Sequence, residues 1–230
     1  MQGVLLIDKP SGWTSFDAVN FVRKQVAAAE GKKPKNTKVG HTGTLDPLAT
    51  GLLVLLVGKE YTRRATELTK LDKTYEVTMK LGWTSTTGDE EGEKTAVSDT
   101  IPTPEAVLGA LEAFQGQIMQ VPPAFSAMKI NGQRAYHLAR QGKEVALEAR
   151  PVTIHSIKLT DYSYPLVQFT TDVGSGTYIR SLVEDLGKHL GTGAYMPALR
   201  RTRVGQFDLA DAMLPNAENL LEHIKSLANT

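Results

Sequence analysis

The sequence predicts an α+β fold around one mixed sheet, and three observations predict it. Residues 52–57 (LLVLLV) form a continuous apolar run, the pattern of a strand buried on both faces. Residues 73–81 (KTYEVTMKL) alternate Tyr75, Val77, Met79 and Leu81 with polar neighbours, the pattern of a half-buried strand. Strand-like and helix-like segments follow one another in mixed order along the 230 residues, which argues for a mixed sheet with helices around it.

The elements follow in order. Residues 3–7 read as a short buried strand. Thr14 and Asp17 have the spacing of a capping box, and Val19, Phe21, Val22 and Val26 continue it as a helical stripe. Residues 30–38 (EGKKPKNTK) are a lysine-rich loop. Residues 39–51 (VGHTGTLDPLATG) are so dense in Gly, Thr and Pro that no regular element is expected there. A helix is expected over 60–71, an acidic loop over 84–93, and a helix from Thr103-Pro104 to about residue 114. Asn131-Gly132 is a hairpin turn inside a partly irregular insert, with a short helix near 135–141. Residues 152–162 and 166–173 read as paired strands, 177–190 as an amphipathic helix, 195–207 as extended, and 217–227 as a final helix.

Composition excludes several kinds of chemistry. There is no cysteine, so no disulfide, thiolate metal site or cysteine nucleophile is available. The five histidines (41, 137, 155, 189 and 223) show no pair at metal-ligand spacing. Glu60 stands where a phosphate loop needs Ser or Thr. The GSGTY of 174–178 lacks the third glycine of a dinucleotide fingerprint. No cofactor and no metal are therefore expected. The longest apolar stretch, 52–57, is too short to span a bilayer, and the N-terminus has no signal-peptide pattern, so a cytoplasmic protein is expected. The net charge is +1, so any affinity for nucleic acid must come from local basic clusters.

Residues 41–51 (HTGTLDPLATG) are the segment richest in chemistry. Pro47 forces Asp46 into an extended or turn conformation. Glycines at 43 and 51 bracket it and allow close backbone approach to a ligand. An aspartate on such a loop is either a nucleophile or the start of a turn.

HTGTLDPLATGLL at 41–53 resembles the catalytic motif of TruB-type tRNA pseudouridine synthases. Other pieces resemble the same family in the same order: VLLIDKPSGWTS at 4–15, DKTYEVTMKLGWTSTTGDEEG at 72–92, PPAFSAMKINGQRAYHLARQG at 122–142, GTYIRSLVEDLG at 176–187 and LRRTRVGQF at 199–207. The resemblance implies the pseudouridine synthase fold, a central mixed and mostly antiparallel sheet flanked by helices and loops. It implies a catalytic domain over 1–210, with a mobile RNA-binding insert over 122–150. It also implies the reaction, conversion of uridine to pseudouridine at position 55 in the T-loop of tRNA by base flipping and an aspartate nucleophile.

Residue by residue, Asp46 matches the nucleophile, and Arg180 the arginine that pairs with it. Tyr75 matches the tyrosine that stacks on the target base and is a candidate for moving the proton. Tyr178 and Leu199 match pocket residues that touch the flipped uracil. His41 matches a histidine that fills the gap left by the extruded base. Lys129 and Arg134, with Arg140 and Lys143, are expected RNA contacts in the insert. Lys32, Lys33, Lys35 and Lys38, and Arg200, Arg201 and Arg203, are basic clusters suited to phosphates. Many bacterial members of that family carry a C-terminal PUA-type domain; here a short helical tail over 211–230 is expected in its place. The expected partner is the T-arm of tRNA. No membrane and no obligatory protein partner are expected, and a monomer is the default because no association stripe is visible.

Overall fold

In the computed structural model, residues 1–124, 129–130, 133–134 and 147–227 are described. The chain falls into two compact units: residues 1–76 with 199–230, and residues 77–198. Strands β4 (Lys73–Leu81) and β12 (Ala194–Val204) contribute residues to both. Among the described residues the main sheet has nine strands.

The first unit is organised by β3 (Thr50–Val57), paired antiparallel with β1 (Gly3–Lys9) along one edge. Its other edge pairs antiparallel with β2 (Val39–His41) and parallel with β12 at Arg200 and Arg201. Side chains alternate across a strand. Leu53, Leu55 and Val57 pack in one cluster with α1 (Ser15–Ala29) through Val19, Val22 and Val26. Leu52, Val54 and Leu56 pack in another with Val4, Leu68 and Val204. Burial on both faces is the physical reason for the unbroken apolar run. The expected capping box starts α1: Asp17 N–H donates to Thr14 Oγ1 (3.1 Å), and Thr14 N–H donates to Asp17 Oδ2 (2.9 Å).

Several expectations are corrected in this unit. Residues 39–51 are not wholly irregular, because Val39–His41 finds ladder partners on β3 and β3 itself begins at Thr50. The helix expected over 60–71 is two short helices, α2 (Lys59–Arg63) and α3 (Ala65–Thr69). Only Leu68 is buried in them, so tertiary packing does little to hold a longer helix. The helix expected over 217–227 is only a 3-10 turn, Leu220–His223. Beyond it the Val4 and Lys225 backbones exchange hydrogen bonds of 2.8 and 2.9 Å, since the edge of β1 offers unpaired donors and acceptors.

In the second unit, β11 (Leu166–Val173) pairs antiparallel with β10 (Arg150–Ser163), and β10 with β7 (Gly116–Gln120). The strand order continues from β4 through β11 and β10 to β7. The expected alternation of β4 holds, with Val77, Met79 and Leu81 buried. Helix α4 (Pro104–Ala113) begins at Thr103, whose hydroxyl accepts from Ala106 N–H, and α5 (Ile179–His189) buries Leu182, Val183 and Leu186. The acidic segment lies at a small hairpin, β5 (Trp83–Ser85) with β6 (Lys94–Ala96). Strands β8 (Lys129–Ile130) and β9 (Gln133–Arg134) pair antiparallel, and the turn expected at 131–132 lies outside the described residues. The short helix expected near 135–141, and Arg140 and Lys143, lie outside the described residues. A final hairpin in the first unit pairs β12 with β13 (Phe207–Asp208).

Candidate active site

The segment carrying Asp46 must hold a non-repetitive path, so its backbone needs partners from outside the ladder. Ser15, the first residue of α1, supplies them to Leu45. Leu45 N–H donates to Ser15 Oγ (2.8 Å), and that hydroxyl donates back to Leu45 O (3.0 Å). Ser15 and Leu45 are both buried. On the other side of Asp46, Pro47 O accepts from Gly12 N–H (2.8 Å) and from Lys9 Nζ (3.3 Å). Asp46 O accepts from Ala49 N–H (3.1 Å). The half-buried Asp46 is thus held between two fastened neighbours.

Three cations surround this loop. Lys9 is 0% exposed and gives its ammonium to Trp13 O (2.6 Å), Pro10 O (3.0 Å) and Pro47 O. Burial lowers its pKa to about 8, while the nearby Asp46 carboxylate favours the charged form and Arg201 opposes it. Lys73 donates to Thr69 O (2.9 Å) and Leu71 O, and burial likewise lowers its pKa to about 8. Arg201 is 1% exposed and donates to Leu52 O (2.7 Å) and Gly43 O (3.1 Å). Backbone carbonyls supply the partners that water would otherwise give these charges. Burial and the Arg201 charge hold His41 below the usual imidazole pKa. Its Nδ1 accepts from Gly43 N–H (3.3 Å).

Two sequence-based expectations fail here. Arg201 does not lie on an RNA-facing surface: it is a buried internal brace, because its guanidinium is spent on Leu52 and Gly43. Arg200 is also committed, in a two-pronged pair with Asp8 (2.7 and 3.2 Å). Gly51 leaves room for the chain rather than for a ligand. At φ +97° a Cβ there would meet Arg201 O at 2.3 Å, so the parallel approach of β12 explains this glycine. At Gly43 a Cβ would make only ordinary contacts, the nearest being Arg201 at 3.4 Å.

The other expected residues are placed as follows. Tyr75 on β4 and Leu199 on β12 are buried in the first unit at 7% and 9% exposure. Lys32, Lys33, Lys35 and Lys38 are exposed, as is Arg203. Lys129 and Arg134 lie opposite each other in the β8–β9 ladder; their side chains lie outside the description.

The second unit holds Arg180 and Tyr178. Arg180 is 6% exposed; it donates to Thr87 O (3.0 Å) and lies 3.7 Å from Asp89 Oδ2. Asp89 is itself buried and accepts from Thr87 Oγ1 (2.5 Å) and Glu91 N–H (3.1 Å). Glu184, half-buried beside them, has its pKa raised by desolvation. Sequence reasoning missed Asp89 and Lys9. Both lie in quoted motifs, DKPSG and TGDEEG, but only their burial marks them, and burial of a charge is not visible in a motif. Among the described residues no cluster of His, Asp and Glu could hold a metal ion, and no helix is long and apolar enough to cross a membrane.

Residues 31–179 match the TruB family pseudouridylate synthase N-terminal domain, and residues 180–229 match the tRNA pseudouridylate synthase B C-terminal domain. The chain is 41% identical to tRNA pseudouridine synthase B of Chlamydia pneumoniae over 96% of its length and 89% of that protein. It is 47% identical to tRNA pseudouridine synthase B of Dechloromonas aromatica, over 93% of this chain and 68% of that one. Among solved structures, it resembles a chain of a Cbf5-Nop10-Gar1 complex with a TM-score of 0.68 and 28% identity, covering 92% of this chain and about half (52%) of that one. A fastened aspartate loop on a mixed sheet, and sequence matches running almost from end to end, lead to one assignment: the chain belongs to the TruB family of pseudouridylate synthases.

Proposed function

We propose that this protein isomerises uridine to pseudouridine at position 55 in the T-loop of tRNA, with Asp46 as the nucleophile. The observation that carries this reading is the Asp46 loop, fastened through Leu45 and Pro47, in a family whose relatives at 41–47% identity are named tRNA pseudouridine synthase B. The reaction breaks the bond from C1′ to N1 and forms one from C1′ to C5. A proton leaves C5 and a proton is gained at N1, so no external reactant is consumed. Side chains and the substrate suffice, in keeping with an enzyme that needs no cofactor.

The target base must leave its stack, which costs a few kcal/mol. His41 fills the space, and its lowered pKa keeps the imidazole neutral where it meets bases. Tyr75 stacks on the uracil and is the candidate for handling its proton. Tyr178 and Leu199 are each assigned a contact with the uracil, and Arg180 the role of the cation the nucleophile requires. Lys129 and Arg134 grip the RNA. Arg201 is a positioning residue, since its bonds to Gly43 O and Leu52 O set the loop. The protein acts in the cytoplasm, as a monomer, without an obligatory protein partner.

The reading is tested by tritium release. Transcripts of tRNA carrying tritium at uridine C5 are incubated with the protein and with Asp46→Asn. Release by the parent and none by the variant is expected. Binding without release by the parent would favour a purely RNA-binding role.

A further inference from the structure

Tyr178 is the N-cap of α5, yet its side chain makes no capping bond. Its backbone is held from another element. Tyr178 N–H donates to Gln120 Oε1 (2.8 Å), and Gln120 Nε2 donates to Tyr178 O (3.1 Å). One primary amide thus occupies both ladder groups of one residue. Gln120 is 1% exposed, so its amide is buried while Tyr178 is half-buried.

The ring of Tyr178 is held separately. The Arg150 guanidinium carbon lies 5.3 Å from the ring centroid, within range of a cation–π contact. Arg150 also donates to Gly176 O (2.6 Å). Its buried Nε has no hydrogen-bond partner among the described residues. A guanidinium placed only for hydrogen bonding would not waste that donor, so the ring and the Gly176 carbonyl set its position. Gln120 and Arg150 are direct partners across the β7–β10 ladder, so one rung of the sheet supplies both supports. Next to that rung, Ser181 Oγ donates to Val121 O (2.8 Å) and ties the start of α5 to the same strand end.

We propose that Gln120 and Arg150 are positioning residues that set Tyr178 for the target base, Gln120 through the backbone and Arg150 through the ring. This rests on the reading of Tyr178 as a pocket residue. Arg150 takes one face of the phenol, leaving the base to meet the rest of the ring. Lysine cannot replace it, because a point charge cannot cover the ring and reach Gly176 O with a planar fork. A misplacement of about 1 Å at a reacting group can cost roughly a hundredfold in rate.

The test uses Gln120→Met, Gln120→Glu, Arg150→Met and Arg150→Lys in the full chain. Single-turnover rates at saturating tRNA and tRNA dissociation constants are measured. Fluorotyrosine-labelled protein is followed by fluorine NMR, with the Tyr178 signal identified by its loss in Tyr178→Phe. Both Met variants are expected to lose about ten- to a hundredfold in rate, with affinity changed by less than about threefold. Gln120→Glu, which keeps only the acceptor, falls between, and Arg150→Lys does not recover the rate. The Tyr178 signal shifts in every variant. A weakened affinity with an unchanged saturating rate would make Arg150 a phosphate contact and overturn the proposal, as would an unmoved Tyr178 signal. A parent that binds tRNA but releases no tritium overturns the proposed function instead, and the fluorine signal still judges the contact.

Discussion

Replacing Ser15 with Ala removes one oxygen atom and leaves two buried backbone groups without partners. Both belong to Leu45, the residue before the proposed nucleophile: its N–H at 2.8 Å and its carbonyl at 3.0 Å from Ser15 Oγ. Ser15 is 2% exposed and Leu45 3%, so solvent does not replace the lost bonds without rearrangement. An unpaired buried polar group costs about 1–3 kcal/mol, and two of them predict a loss of about 2–6 kcal/mol. Urea unfolding followed by circular dichroism measures it, with an unchanged slope confirming a change in stability alone. Thr14→Ala is the control, since losing an exposed cap costs only about 1 kcal/mol. Ser15→Ala is also expected to slow the reaction at saturating tRNA by at least about tenfold, because the backbone beside Asp46 is released. A loss below about 0.5 kcal/mol with full activity, within the ordinary surface range, would refute the view that this hydroxyl fastens the loop.

Three further outcomes follow from the same unit. Lys9 has a folded pKa of about 8 against an ordinary 10.5, so between those values the unfolded chain binds more protons and stability rises with pH. Lys9→Met removes that dependence, so the stability difference between parent and variant should change by about 3 kcal/mol across the window; parallel stability curves would contradict it. His41 is held below 6.5 by burial and Arg201, so its contribution is present above pH 6.5 and is lost as pH falls through the window below it. Its ring signals in NMR should titrate below 6.5, and a midpoint above that value would contradict the account. Gly51→Ala should lose at least about 2 kcal/mol in urea unfolding, from overpacking and a left-handed backbone, because its Cβ would meet Arg201 O at 2.3 Å; a neutral effect would refute the close approach of β12.

Local periodicity carried most of the fold. The runs at 52–57 and 73–81 became β3 and β4 because their spacing states which faces are buried. The Thr14–Asp17 box started α1 because capping is settled within four residues. What failed depended on partners distant in sequence. Val39–His41 is a strand only because β3 lies beside it, and the chain near Lys225 is extended because Val4 needs ladder partners. Arg201 sits in a run of basic residues that reads as surface, and only the fold reveals that the carbonyls of Gly43 and Leu52 enclose it. The buried charges of Lys9 and Asp89 escaped for the same reason. A motif gives residue types, whereas the cost of desolvating a charge and the groups that offset it belong to the folded chain.

Asp46 is proposed above as the nucleophile of a uridine isomerase acting on the tRNA T-loop. The most direct measurement incubates an unmodified tRNA transcript with the protein, labels pseudouridine with a carbodiimide and maps reverse-transcription stops, with Asp46→Asn in parallel. A new stop at the T-loop uridine is expected with the parent and none with the variant, which still binds the RNA. A stop made equally well by Asp46→Asn, or no stop with the parent while the tRNA is bound, would contradict the proposal.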